Sequence, residues 1–113
     1  MNTRVIRLLV LLVVFPMNVY ATDSSGGYLM YGAGAMSCGK YLSSSSDPRW
    51  ADIFISYANG FLTAYNYYNK DGISAITRSD NAGVEAWLKN YCTRNPTEDF
   101  SRAMISFVQS NKY

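Results

Sequence analysis

The chain has 113 residues, a formal net charge of +2 and no histidine. Ten Lys and Arg less Arg4 and Arg7 leave eight, which equals the eight Asp and Glu, all of them after residue 21, so the chain beyond residue 21 is neutral. Neutrality removes the electrostatic case for nucleic acid and for a polybasic grip on lipid headgroups, and the missing histidine removes the usual base of nucleophilic catalysis.

Residues 1–21 read as a secretion signal. Arg4 and Arg7 make a short basic start, Leu8 to Phe15 is an unbroken apolar run, and Val19-Tyr20-Ala21 puts small residues where a signal peptidase reads. The run is shorter than the about 20 apolar residues that span a bilayer. Cleavage near Ala21 is expected to leave residues 22–113 in the periplasm or outside the cell, with no membrane span.

A single small domain of this length buries about 60–65% of its unfolded surface, and covalent support is common at that size. The two cysteines are Cys38 and Cys92. In an oxidising compartment they allow one intramolecular pairing. That bond closes a loop of about 55 residues, for which the chain-entropy model credits roughly 4 kcal/mol. An intermolecular disulfide and two buried thiols are the alternatives. Cysteines so far apart, with no histidine, match no zinc spacing, so neither a metal nor another cofactor is expected.

Residues 22–34, rich in Ser and Gly, read as a mobile lead-in. A helical domain over residues 35–110 follows. Ala35 to Leu42 reads as a short helix carrying Cys38, and Ser43 to Ser46 as a polar loop. The next helix has Asp47 as its N-cap and Pro48 at its first position. Trp50, Ile53, Phe54, Tyr57, Phe61, Ala64, Tyr65 and Tyr68 recur at steps of three and four as its apolar stripe. Asp52, Ser56, Asn59, Thr63 and Asn66 form another face, polar and almost uncharged. Gly60 costs about 1 kcal/mol against alanine inside a helix, which suggests close approach of another backbone. Asn69-Lys70-Asp71-Gly72 has turn chemistry, and a loop is expected over 73–79.

Ser79 or Asp80 caps the third helix. Its inner stripe is Val84, Trp87, Leu88, Tyr91 and Cys92, and Glu85 with Lys89 has the spacing of an ion pair. Asn95, Pro96 and Glu98 approximate a capping box for the last helix, whose core face is Phe100, Ala103, Met104, Phe107 and Val108. The expectation is an all-α fold: a small bundle of three main helices plus a short N-terminal one, tied by one disulfide, with the second helix between the first and third.

Two nucleotide- and metal-like strings fail on inspection. Gly34 to Lys40 fits most of a phosphate-binding loop, but Tyr41 stands where Ser or Thr must hold magnesium, and no strand precedes it. Asn69 to Gly72 resembles the middle of a calcium loop, but Tyr67 and Arg78 occupy the positions of the first aspartate and the bidentate glutamate. No pair of carboxylates is singled out by spacing for glycoside hydrolysis, so no catalytic residue is assigned. Tyr65, Tyr67 and Tyr68 cannot all face one core. Tyr67 is the one expected to leave it, either to pack on the 73–79 loop or to serve recognition, where tyrosine offers large area at low entropy cost. With Asn59, Thr63 and Asn66 it makes the candidate interaction surface.

Several strings together carry a family likeness: Cys38-Gly39-Lys40-Tyr41-Leu42, Asn59 to Asn66, Trp87 to Cys92, and Asn95-Pro96. Over residues 38–108 the chain resembles small secreted bacterial proteins with a "CGKW-L … GYL-GYN … W-NYC–NP" pattern. More distantly it is similar to the HdeA-like periplasmic acid-stress chaperones and the Rap/Tai immunity proteins of type VI secretion. The resemblance implies a helical fold around a Cys38–Cys92 disulfide, Gly60 and Asn66 in a second-helix motif, Trp87 in the core and Asn95-Pro96 at a helix start. It implies no catalytic residues, because these relatives bind proteins. Tyr41 departs from the pattern, where tryptophan is usual, and immunity proteins of this kind often have more than two cysteines. The expected function is a non-catalytic protein-binding module of the periplasm, chaperone-like or immunity-like. A structural or envelope-associated protein without a soluble partner is the alternative, and a small hydrolase ranks behind both.

Overall fold

A computed structural model describes residues 27, 29–69 and 79–111. The expected signal over 1–21, the start of the lead-in, the turn residues from Lys70 to Gly72 and the loop up to residue 78 lie outside them. The described residues form an all-α bundle with no strand: α1 (Cys38–Ser44), α2 (Pro48–Tyr68), α3 (Asn81–Arg94) and α4 (Phe100–Ser110), preceded by a 3-10 turn at Gly32–Ala35. Cys38 and Cys92 form a disulfide, with Cα atoms 4.8 Å apart and both residues fully buried. No helix among the described residues is long and apolar enough to cross a membrane.

The helix starts follow from short polar side chains. Asp47 Oδ1 accepts from the Arg49 amide at 3.0 Å and Pro48 takes the first position of α2, where its missing N–H costs nothing. Asp80 Oδ1 accepts from the Gly83 amide at 2.9 Å and starts α3. At the other ends, one device recurs. Asn69, Asn95 and Asn111 each donate Nδ2 to the carbonyl four residues back, at 2.8, 2.9 and 2.8 Å, and the Tyr65 and Tyr91 carbonyls also accept the backbone amides of Asn69 and Asn95 at 3.0 Å each.

α1 is started by another part of the chain. Its first amides, on Cys38 and Gly39, donate to Glu98 O and Pro96 O at 2.8 Å each, and the Lys40 amide donates to Ser37 Oγ at 3.1 Å. In return, the Phe100 amide donates to Met36 O at 2.8 Å. Segments 36–39 and 96–100 therefore clasp each other beside the disulfide. This overturns the expected start of the last helix. Asn95 closes α3 rather than capping α4, and the carbonyls of Pro96 and Glu98 are turned toward α1, so α4 begins at Phe100.

The core gathers around α4, which packs against α1, α2, α3 and the 3-10 turn. Phe100, Ala103, Met104, Phe107 and Val108 are buried as the periodicity predicts, together with Ser101. α1 meets α3 directly through the disulfide, while α2 lies on α1, α4 and the 3-10 turn, so α2 does not sit between α1 and α3. The inner stripe of α3 is as expected: Val84, Leu88 and Cys92 are buried, and half-buried Trp87 stacks on Tyr91 with ring centroids 5.4 Å apart. The stripe of α2 holds in part: Phe54 is buried and Trp50, Tyr57, Phe61 and Tyr65 pack against the core, but Ala58 and Leu62 are buried beside them, whereas Ile53 is 46% exposed and Ala64 and Tyr68 face solvent.

The lead-in is packed at its C-terminal end. Ala33 and Gly34 are buried, and a Cβ on Gly34 would fall inside the Tyr57 side chain. The close approach expected at Gly60 belongs to Gly34 instead: nothing lies within 4 Å of a Cβ added at Gly60, which is exposed.

Reduction of the disulfide, or Cys38→Ala with Cys92→Ala, should lower unfolding free energy by roughly 4 kcal/mol in urea titrations followed by circular dichroism; a midpoint unchanged by reductant would refute it. In the same assay Gly60→Ala should stabilise by up to about 1 kcal/mol, and Gly34→Ala should destabilise by about 1–3 kcal/mol through overpacking against Tyr57.

Candidate functional site

Thr63 and Tyr67 lie on the outward side of α2, across from Phe54, Ala58 and Leu62, with Asn59 and Asn66 on its flank. This follows from the 100° step of a helix: the four residues span one face about 100° wide. Thr63 is exposed and Asn59 and Asn66 are half-buried. Tyr67 is 66% exposed and Tyr68, which the periodicity placed in the core, is 84% exposed. Their rings meet edge to face, with centroids 5.6 Å apart. The face thus ends in an exposed aromatic pair, and none of its members carries a formal charge. Tyr68 was missed because its spacing continues the apolar stripe. The bundle leaves it uncovered, beyond a groove lined by Phe61 and Tyr65 of α2 and Ile105, Val108 and Gln109 of α4. The 73–78 loop on which Tyr67 was alternatively expected to pack lies outside the described residues.

A second site was not singled out by the sequence. Tyr41, Phe54 and Phe100, one each from α1, α2 and α4, form an aromatic junction with centroid separations of 4.8 to 5.2 Å. Beside it lies a pocket of about 30 Å³ lined by Tyr41, Ser45, Ala51, Phe54, Ile55, Leu88 and Phe100, with Glu85 and Lys89 from α3. Tyr41 is only 5% exposed, and its hydroxyl has no hydrogen-bond partner among the described residues. Burial first, and the Glu85 carboxylate second, push the Tyr41 phenol up to about 12 from its usual 10.0. Glu85 and Lys89 were expected to pair with each other, but the ion pairs among the described residues are Arg49–Asp47 and Arg102–Glu98, both exposed. Tyr41 itself buries a hydroxyl in the core.

The site and the face are linked along α2. Ala51 and Ile55 line the pocket, and Asn59 and Thr63 continue the same row at steps of four. Exposed Lys40 lies over the Trp50 ring with Nζ 4.4 Å from its centroid. The phosphate-loop likeness has a different use: Gly34 is packed against Tyr57, Cys38 is bonded to Cys92, and the amides from Cys38 to Lys40 already donate within the clasp. Among the described residues no group of three or more His, Cys, Asp or Glu is placed to hold a metal.

No protein-family model, no curated protein and no solved structure matches this chain.

The raised Tyr41 value sets a pH window. The folded state holds the phenol proton more tightly than the unfolded chain, so this contribution to stability is complete below pH 10 and is lost as pH rises toward 12. Tyr41→Phe should therefore lose less stability than the parent between pH 10 and 12. At pH 7 it should be neutral or more stable by about 1 kcal/mol, because it removes a buried hydroxyl with no partner. Urea midpoints measured across that range check both; a Tyr41→Phe protein that tracks the parent's alkaline loss would count against the assignment.

Proposed function

We propose that this chain is a non-catalytic protein-binding module acting in the periplasm or outside the cell, and that the outward face of α2 engages its partner. The observation that carries this reading is the Tyr67–Tyr68 pair, two touching and solvent-exposed rings at the end of an uncharged face formed by Asn59, Thr63 and Asn66. Tyrosines of this kind supply large contact area with few torsions to freeze. A scaffold tied by a buried disulfide supports the face in one shape, which lowers the ordering cost of binding.

Within this class the surface supports an immunity- or inhibitor-like role with one partner over a chaperone-like role with many. A holdase needs a broad apolar surface. Among the described residues the exposed large apolar ones are spread over separate places: Leu29 and Tyr31 before the 3-10 turn, Ile53 early in α2, and Tyr67 with Tyr68 at its end.

The test is site-specific photo-crosslinking in the producing cell, with the crosslinker at Thr63 and, as a control, at exposed Arg102 on α4. The expected result is one dominant protein adduct from Thr63, absent from Arg102 and reduced about tenfold by Tyr67→Ala, the loss typical of an aromatic anchor. Many adducts of similar yield would instead indicate a chaperone, and adducts confined to membrane proteins or peptidoglycan an envelope component. Equal labelling from both positions would remove the assignment of this face.

A further inference from the structure

One face of α2 is open to solvent along most of its length and carries no charge. From Ile53 to Asn69 the chain has no Asp, Glu, Lys or Arg, although Ile53, Ser56, Gly60, Ala64, Tyr67 and Tyr68 are all exposed. A solvated helix face ordinarily carries charged side chains. At 100° per residue these six fall within about 120° of the circumference. Two of them are large and apolar and well out in solvent: Ile53 is 46% exposed and Tyr68 84%.

Gly60 lies at the middle of this face, and packing within the chain does not account for it. Glycine weakens a helix interior, yet nothing lies within 4 Å of a Cβ added here. Ser56 and Ala64, one turn to either side, are small as well, so the backbone of α2 is open to close approach over about 12 Å. The bulky groups stand beyond. Ile53 lies about 10 Å before Gly60, and the Tyr67–Tyr68 pair begins about 10 Å after it, its ring centroids 5.6 Å apart. Large, small and large are therefore placed almost symmetrically about Gly60.

That symmetry selects the occupant. An antiparallel two-fold pairing of α2 helices about Gly60 lays small residues on small ones and sets Ile53 of each copy over the Tyr67–Tyr68 pair of the other. With no charge on the face, two copies meet without repulsion, and nothing there favours a charged partner. The two tyrosines present about 300 Å², and the whole face about 600 Å² per copy, which is small but within the range of specific interfaces. We propose that the protein forms a two-fold symmetric dimer through antiparallel α2 helices that cross at Gly60. An interface of this size forms at protein concentrations on the order of 100 µM. It covers Tyr67 and Tyr68, so a partner that needs them binds the monomer; the pairing itself does not rest on the partner-binding reading.

The experiment is sedimentation equilibrium of the purified, oxidised protein alone, from about 5 µM to about 1 mM. The parent should pass from monomer to dimer across this range; a monomer throughout overturns the proposal. Gly60→Leu should raise the dissociation constant about tenfold or more by holding the two backbones apart. Its urea midpoint at the lowest concentration should be no lower than the parent's, because leucine favours the helix and its Cβ meets nothing within 4 Å, so lost pairing is not lost folding. Ile53→Glu should weaken pairing about tenfold as well. Adding Tyr67→Lys to it should restore pairing to within about threefold of the parent, because antiparallel copies bring each carboxylate to the other's ammonium. Within one chain the two positions are about 21 Å apart and cannot pair, and in a parallel dimer like charges would meet. A dimer that survives Gly60→Leu, or a double variant that pairs no more tightly than Ile53→Glu alone, overturns the assignment.

Discussion

Everything in this small bundle hangs on the clasp between residues 36–39 and 96–100. A disulfide joins Cys38 to Cys92, and backbone hydrogen bonds cross between the two segments from Cys38, Gly39 and Phe100. A helix as short as α1 has no stability of its own in water, because nucleation is costly and few bonds follow it. Here its first amides are satisfied by carbonyls of a distant segment, and one of its side chains is covalently held by α3. The same carbonyls are thereby unavailable to α4, which fixes where that helix begins.

The consequences spread outward from the clasp. Phe100, the first residue of α4, is brought against Tyr41 of α1 and Phe54 of α2. Leu88, one turn before Cys92, closes the other side of the same junction. A pocket forms where four elements meet near a covalent constraint and cannot slide to fill the gap. The Tyr41 ring is fixed by its packing on Phe54 and Phe100, which leaves its hydroxyl buried without a hydrogen-bond partner among the described residues. The outward face of α2 is the complement of this arrangement: α4 covers α2 through Phe61 and Tyr65, and the aromatic pair that follows is left to solvent.

Local chemistry was readable from the residues. Asp47 with Pro48, and Asp80, start helices because a short acceptor and a fixed φ act within one turn, and both do so in the bundle. The stripes of α3 and α4 were legible because each helix is covered on one side and its apolar residues repeat cleanly. The stripe of α2 was harder to read, since apolar residues occupy more of its circumference than the core can cover; Ile53 and Tyr68 fit the period and still face solvent. Asn95 looked like an N-cap because the same side chain serves either end of a helix, and only the clasp decides between them. Of the candidate site, Asn59, Thr63, Asn66 and Tyr67 could be grouped from helical spacing, whereas Tyr41, Ser45 and Glu85 could not, because their proximity is created by packing between helices far apart in sequence.

The sequence by itself determined the all-α class, the extent of α2 and α3 to within a few residues, and the pairing of two cysteines as the natural covalent tie. Those depend on capping, periodicity and the number of available partners, all of which act locally or by count. Only the tertiary structure decided that α4 is the hub, that Gly34 rather than Gly60 is the glycine of close approach, and that buried Tyr41 lines a pocket together with Glu85 and Lys89. These features depend on which surfaces meet across long stretches of chain, and that is set by the clasp and by the packing of aromatic rings around it.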